Sequence, residues 1–256
     1  MTPVPEEWQF DTRLIGRRTL VFDELESTNS TAMAAANRAA DGLAIIARNQ
    51  TAGRGRFNRV WRSRPGSALL LSVICYPPTE LRRPVILTAW AAVAVAGAVE
   101  RLTGRQPRIK WPNDLFLDGK KICGILIEQS AATIVGIGLN LNQTREEFDA
   151  AGLPLAASLV TFTGQPIDLR VAAEAVLTSL DFQYRRLLEG ERHLVEEEWS
   201  SRCGLLGHTV QVERSDGARG AGRLTALRFD GLQIEVPGGG EITLIPEAVE
   251  HVTRVD

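Results

Sequence analysis

Residues 50–67 read QTAGRGRFNRVWRSRPGS, and this stretch decides how the rest of the chain is read. It holds five arginines, Arg54, Arg56, Arg59, Arg62 and Arg64, and the glycines Gly53, Gly55 and Gly66. No Asp or Glu occurs between Asp41 and Glu80. A segment this polar and glycine-rich cannot be core. The apolar run at 43–47 leads into it and another at 68–76 leaves it. The pattern predicts a mobile cationic loop slung between two buried strands. Glycines let backbone N–H groups come close to a ligand, and guanidinium forks suit carboxylate or phosphate. The plain alternative is a solvated surface loop.

Upstream of the loop, residues 19–23 (TLVFD) read as a strand. Ser27-Thr28-Asn29-Ser30 follows, then an Ala-rich helix to about residue 40, closed by Gly42. Such residues cap helices, and a helix N-terminus also offers free donors to a polar ligand. Residues 1–18 are polar and read as a loose N-terminal arm.

Downstream, Pro84 opens a helix that Gly104 stops. A short strand covers 108–111. Asp118-Gly119 is a strong hairpin signal joining 115–117 to 121–128. Residues 133–142 (TIVGIGLNLN) form another strand, whose asparagines must be hydrogen-bonded or face a site. Residues 143–167 read as irregular. Asp168 caps a helix with apolar residues at Leu169, Ala172, Val176, Leu180, Tyr184 and Leu187, ended by Gly190. A second helix runs over 191–202, and Gly204 stops it. From residue 206 onward, HTVQVER, AGRLTALRF, LQIEVP and EITLI are short alternating strands separated by Gly-rich turns, the pattern of a small β-barrel. The fold class is α+β: a mixed, mostly antiparallel sheet with helices on one face, plus a C-terminal barrel. The expected units are 1–18, 19–204 and 205–256.

The totals exclude several functions. With 256 residues and a net charge of −2, the whole molecule is no polyanion binder, so attraction for an anion must be local to the loop. The three cysteines, Cys75, Cys123 and Cys203, are scattered and odd in number, which argues for a reducing compartment. The histidines lack zinc-ligand spacing. No secretory leader opens the chain, and the apolar run at 85–99 falls short of the ~20 residues that span a bilayer. The expectation is a cytoplasmic protein with no membrane partner. The space before the first strand is too short for a helix-turn-helix, so no DNA partner is expected.

Five segments then match a known family in order: ESTN at 26–29, QTAGRGRFNRVW at 50–61, KWPNDL at 110–115, KKICGILIE at 120–128 and GIGLNLN at 136–142. The chain resembles the biotin–protein ligases, also called biotin–acetyl-CoA-carboxylase ligases. The likeness is dense over 19–142 and looser beyond. It implies a class II synthetase-like (biotin–lipoate ligase) catalytic domain, an SH3-like C-terminal domain, and a form without the DNA-binding head of some relatives. It implies a two-step reaction. Biotin and ATP, with Mg2+, give biotinyl-5′-AMP, and the acyl group then passes to one lysine of the biotin carboxyl carrier protein of acetyl-CoA carboxylase. No covalent enzyme intermediate is needed, and no Ser-His-Asp or Cys-His set is visible.

By the same resemblance, Lys121 and Arg56 are the catalytic residues. Ser27, Thr28, Asn29 and Gln50 border the ureido ring of biotin. Arg54, Gly55, Arg56 and Lys121 hold its carboxylate and the phosphate, and Gly124 leaves space for the ligand. Arg56, Trp61, Asn113 and Asn140 belong to the ATP side, with the indole stacking on adenine. Asp114 orients Lys110 or a magnesium ion. The metal ligands and a homodimer stay open. The family's loop reads GRGRxGR, and Asn58 stands here where a third glycine is common, a residue that tolerates unusual backbone angles. Lipoate–protein ligases and octanoyl transferases share the fold without the GRGR–KWPND pairing. A single-stranded nucleic-acid-binding module using the arginines and Trp61 is the rival of another class. A P-loop or Rossmann protein fails, because the chain has no GxxxxGK[ST] and no third glycine at a helix start.

Overall fold

The computed structural model describes residues 4–256. Eight strands make one sheet: β1 Glu6–Trp8, β2 Thr19–Leu25, β3 Ala44–Gln50, β4 Ala68–Cys75, β5 Arg108–Lys110, β6 Asp114–Leu117, β7 Lys120–Gln129 and β8 Thr133–Asn140. Their order is β1-β2-β3-β4-β8-β7-β6-β5. Strands β2 and β3 run parallel, and the other neighbours are antiparallel. The helices are α1 Thr28–Ala35, α2 Pro84–Thr103, α3 Arg145–Ala150, α4 Val160–Thr163, α5 Leu169–Leu188 and α6 Arg192–Cys203. The sequence signals act as expected at several ends. Pro84 opens α2, and Gly104 closes it in the left-handed region at φ 69°. Asp118 and Gly119 turn the β6–β7 hairpin with φ of 47° and 76°.

Side chains alternate across a strand, so each strand feeds two faces. Leu69, Leu71 and Val73 of β4 and Val135, Ile137 and Leu139 of β8 point to one face, where α2, α5 and α6 complete the main core. Helix α2 is long and apolar enough to cross a bilayer. It is instead the central core helix, and its Trp90 indole N–H donates to the Leu180 carbonyl at 3.0 Å. On the opposite face, Ile45, Ile74 and Ile134 meet Ala32 and Ala36 from the α1 segment in a smaller cluster. Helices therefore cover both faces, not one as expected. Beyond α1 this second face carries Ser72, Gly124, Gly136, Gly138 and Asn140, which leaves a shallow floor.

Other expectations need correction. Residues 4–18 are docked, not loose. Strand β1 pairs with β2, and Trp8 and Ile15 are buried. The buried Asp181 carboxylate on α5 accepts the backbone N–H groups of Arg13, Leu14 and Ile15 at 3.2, 2.7 and 2.9 Å. A buried carboxylate needs such donors, and this segment supplies them. The first three residues of the expected arm lie outside the described residues. Helix α1 stops at Ala35, where Tyr76 Oη donates to the carbonyls of Ala36 and Ala39. The stretch 143–167 contains α3 and α4. Thr144 and Glu147 cap α3 reciprocally, at the T-x-x-E spacing of a capping box, so this stretch is not irregular throughout as expected.

The C-terminal strands are β9 Thr209–Arg214, β10 Arg219–Leu227, β11 Leu232–Glu235, β12 Glu241–Leu244 and β13 Val249–Arg254. Their order is β12-β11-β10-β9-β13, an open sheet and not the closed barrel expected. Strand β12 is mostly exposed, and the turn Pro246–Ala248 leads the chain to the far edge, where β13 pairs with β9. Trp199 joins the two sheets, with ring centroids 5.6 Å from Trp111 and 5.5 Å from Phe229. The Trp111 indole N–H donates to the Val249 carbonyl at 3.1 Å, and Arg83 meets Glu247 through two bonds of 3.1 and 2.9 Å.

Candidate active site

The arginine-rich loop leaves β3 and folds back on itself. Trp61 N–H donates to Gly53 O at 3.0 Å, and Gly55 N–H donates to Arg59 O at 2.7 Å. Gly53 has no room for a side chain, since a Cβ would lie 2.5 Å from Trp61 O and 2.8 Å from Gln50 Nε2. Left-handed backbone falls at Phe57, φ 55°, next to Asn58. A residue with a Cβ holds that conformation at a cost of about 1–3 kcal/mol. The Phe57 ring is exposed, and the Arg56 guanidinium lies 4.8 Å above it. Arg64 is tied to Glu147 of α3 at 2.7 Å.

Under the loop, six side chains form one continuous polar chain. Gln50 Oε1 accepts the Thr28 backbone N–H at 2.7 Å and its hydroxyl at 3.0 Å. Ser72 Oγ lies 2.7 Å from Thr28 Oγ1 and 2.5 Å from Asn29 Oδ1. Asn29 Nδ2 donates to Glu128 Oε2 at 2.7 Å, and Arg54 Nη2 reaches the same oxygen at 3.0 Å. Ser27 sits beside this chain as the N-cap of α1. Thus Ser27, Thr28, Asn29, Gln50 and Arg54 do come together. Ser72 and Glu128, which complete the set, were not singled out from sequence. The only signal for them is their place on inward-facing positions of strands beside glycines.

The glycine floor carries Trp61. Gly124 and Gly138 are partners across β7 and β8. A Cβ on Gly138 would lie 2.6 Å from Trp61 Cε2, and one on Gly124 would lie 3.1 Å from Trp61 Cζ3. The space above Gly124 is thus filled by the indole, where sequence reasoning reserved it for ligand. Asp114 and Lys121 converge on the same spot, with their charged ends 2.7 Å apart. Asp114 therefore orients Lys121, not Lys110, whose ammonium lies over the Phe116 ring at 5.3 Å. Backbone bonds on both sides of Lys121 fix its strand: its N–H donates to Leu155 O at 2.7 Å, and its carbonyl accepts from Ala157 N–H at 2.9 Å.

Asn113 accepts from Arg56 Nη1 at 3.2 Å while its amide donates to Ile125 O at 2.7 Å. Burial lowers the Arg56 pKa, against an opposing pull from Asp114 and Glu250. The guanidinium stays cationic at neutral pH. Asn140 is buried with its amide engaged at both ends, to Ala157 O and from Gln143 Nε2, each at 3.0 Å. It pins the segment that flanks Lys121.

A cleft of about 1150 Å³ opens between the loop, the free end of β7, the start of α2 and the second sheet. Arg54, Arg56, Arg59 and Arg62 line it against Glu128 and Glu247, so the cleft is net cationic. Gln50, Gly55, Trp61 and Asn113 also face it, whereas Ser27, Thr28, Asn29, Lys121, Gly124 and Asn140 do not line it. Among the described residues, no group of three His, Cys, Asp or Glu side chains is placed to hold a metal ion. Such a cleft can hold a polyanion beside a buried polar cluster that Gln50 joins to it.

Residues 21–142 match the family described as biotin/lipoate A/B protein ligase. A biotin–[acetyl-CoA-carboxylase] ligase of Mycobacterium tuberculosis is 32% identical over 232 residues, 85% of this chain and 84% of the relative. The bifunctional ligase/repressor BirA of Bacillus subtilis is 35% identical over 213 residues, 80% of this chain, and the match spans 66% of that longer relative. Among solved structures, the biotin protein ligase of Aquifex aeolicus in complex with biotin and ATP superposes with a TM-score of 0.79 at 26% identity, covering 93% of this chain and 99% of the other.

Proposed function

We infer, because this chain belongs to the biotin/lipoate A/B protein ligase family, that it activates biotin with MgATP and passes the acyl group to a lysine of a biotin carboxyl carrier protein of acetyl-CoA carboxylase. The observation that carries this reading is the joining of two environments in one site. A neutral polar cluster at Thr28, Ser72 and Gln50 suits the ureido ring. It runs directly into a cleft walled by four arginines, which suits a carboxylate and a triphosphate.

In the first step a biotin carboxylate oxygen attacks the α-phosphorus, and the bond to the bridging oxygen breaks to release pyrophosphate. Two like charges at 4 Å repel by about 4 kcal/mol at an effective dielectric of 20. Fixed guanidinium and ammonium groups offset that repulsion and the charge that develops at phosphorus. Arg54 and Arg56 take this role from the wall of the cleft, and Lys121, aimed by Asp114 and partly exposed, reaches past the edge of the Trp61 indole to join them. Arg54 and Gly55 close over the carboxylate. Trp61, resting on Gly138, offers its other face to the adenine. Asn113 orients Arg56, and Asn140 acts through the segment beside Lys121. Magnesium bound with the nucleotide would supply further neutralisation of the phosphate charge. In the second step the uncharged carrier amine attacks the acyl carbon, AMP leaves, and the amine proton passes to solvent.

Residues 19–204 form the catalytic unit in this reading, and 205–256 supply the far wall of the cleft through Pro246, Glu247 and Val249. Three buried free thiols support a reducing, cytoplasmic setting. The test is biotin-dependent exchange of labelled pyrophosphate into ATP, followed by label transfer to a carrier domain. Lys121→Ala should keep the fold and lose about 100-fold or more in the exchange rate. Exchange driven by lipoate and not biotin, or an unchanged Lys121→Ala variant, would overturn the reading.

A further inference from the structure

The polar chain beneath the loop passes through a residue that the reaction just described does not use. Glu128 lies on β7, on the same face as Gly124, and its Oε2 receives both Asn29 Nδ2 at 2.7 Å and Arg54 Nη2 at 3.0 Å. Asn29 is wedged above Gly136, where a Cβ would come within 2.3 Å of its side-chain oxygen, so it cannot retreat toward the sheet. Thr28 and Asn29 are anchored through the Ser72 hydroxyl at their back. Arg54 is carried by the loop, and among the described residues its partner oxygen is the only link from the loop arginines to this cluster.

We propose that Glu128 is a positioning residue: it latches Arg54 to Asn29 and thereby holds the arginine loop closed against the Thr28–Gln50 cluster. The identity of the ligand under the loop rests on the function inferred above; the latch itself rests on the hydrogen bonds. Thr28, Ser72 and Asn29 are buried and hold one another through these bonds. Asn29 then keeps Glu128 Oε2 aimed at the loop. Charge-assisted bonds of this geometry are stronger than neutral ones. The pair is partly exposed, with side-chain exposures of 45% for Arg54 and 26% for Glu128. Its effect is therefore modest in size, and it acts on loop position more than on global stability.

Glu128→Gln tests this, because it keeps the shape and an acceptor oxygen while removing the charge. Glu128→Asp is the companion variant, which keeps the charge but shortens the reach, and it carries the test if the glutamine variant does not fold. Two measurements are made on each full-length protein: the trypsin cleavage rate within 54–64, without ligand and with saturating biotin, and the biotin KM and kcat of pyrophosphate exchange. Without ligand, Glu128→Gln should be cut about fivefold faster than the parent at an unchanged melting temperature. Biotin should slow cleavage of the parent and lose most of that protection in the variant. KM for biotin should rise about fivefold, with a smaller change in kcat. Cleavage rates and protection within twofold of the parent would overturn the latch. A parent that binds no biotin would instead refute the functional reading, and the ligand-free cleavage arm would still decide the latch.

Discussion

Replacing Gly138 by alanine puts the glycine floor to a direct test. The new Cβ would stand 2.6 Å from Trp61 Cε2 and 2.7 Å from Cζ2. Carbon atoms rest at about 3.5 Å or more, so the contact must open by about 0.9 Å. The backbone cannot supply that movement, because Gly138 is paired to Leu70 of β4 on one side and Gly124 of β7 on the other. The indole must lift into the cleft, toward the space assigned to the nucleotide. Overpacking of this kind costs about 1–3 kcal/mol of stability. A displacement near 1 Å at a positioning group costs up to about 100-fold in rate. The kcat/KM for ATP in pyrophosphate exchange should therefore fall about 10- to 100-fold in Gly138→Ala. Gly97→Ala on α2 is the control. Its nearest atom, Ser179 Oγ, is 3.7 Å from the new Cβ, so kinetics should not change and stability should rise by about 1 kcal/mol. In a Trp61→Ala background the Gly138 effect should vanish. Unchanged ATP kinetics in the single Gly138→Ala variant would refute the placement of the indole.

Asp114→Asn should slow pyrophosphate exchange by about tenfold, and combining it with Lys121→Ala should add nothing further, since both act through one ammonium. Asp181→Ala removes the acceptor of three successive backbone donors and should lower unfolding free energy by about 2–4 kcal/mol in urea melts. Burial pushes the Cys75, Cys123 and Cys203 thiols above their ordinary value of 9.0. The native state then keeps protons that the unfolded chain releases, so stability present below pH 9 should fall as pH rises above it. The slope is at most about 1.4 kcal/mol per pH unit for each thiol. Urea midpoints at pH 8 and 10.5 should diverge more in the parent than in a triple Cys→Ala variant, and equal divergence would remove the thiols as the cause.

Much of this molecule was legible because its signals are local. Pro84, Gly104, Asp118-Gly119 and Asp168 each act through their own backbone, and the structure places α2, the hairpin and α5 where those residues put them. Thr28, Gln50, Arg54 and Arg56 lie in motifs whose composition already points to polar or anionic ligands. What escaped reading depends on distant partners. Ser72 and Glu128 are ordinary residues within strand patterns, and they matter only because β4 and β7 flank β8 and bring them to Asn29. The fate of Gly124 turns on Trp61, 63 positions away by subtraction. The docking of the N-terminal segment turns on Asp181, which in sequence is only a polar position in an amphipathic helix. Closure of the second sheet is a tertiary property, and the turn signals that suggest a barrel serve an open sheet equally well.

The tilted, packed rings of Trp111, Trp199 and Phe229 make the two sheets share a seam. Cutting the chain after Gly204 would not yield a trimmed enzyme. It would bare two indoles, orphan the Trp111 N–H that Val249 now receives, and turn one side of the cleft into open water. Such a fragment would be sticky before it was inactive, so the tail belongs to the molecule's solubility as much as to its reaction.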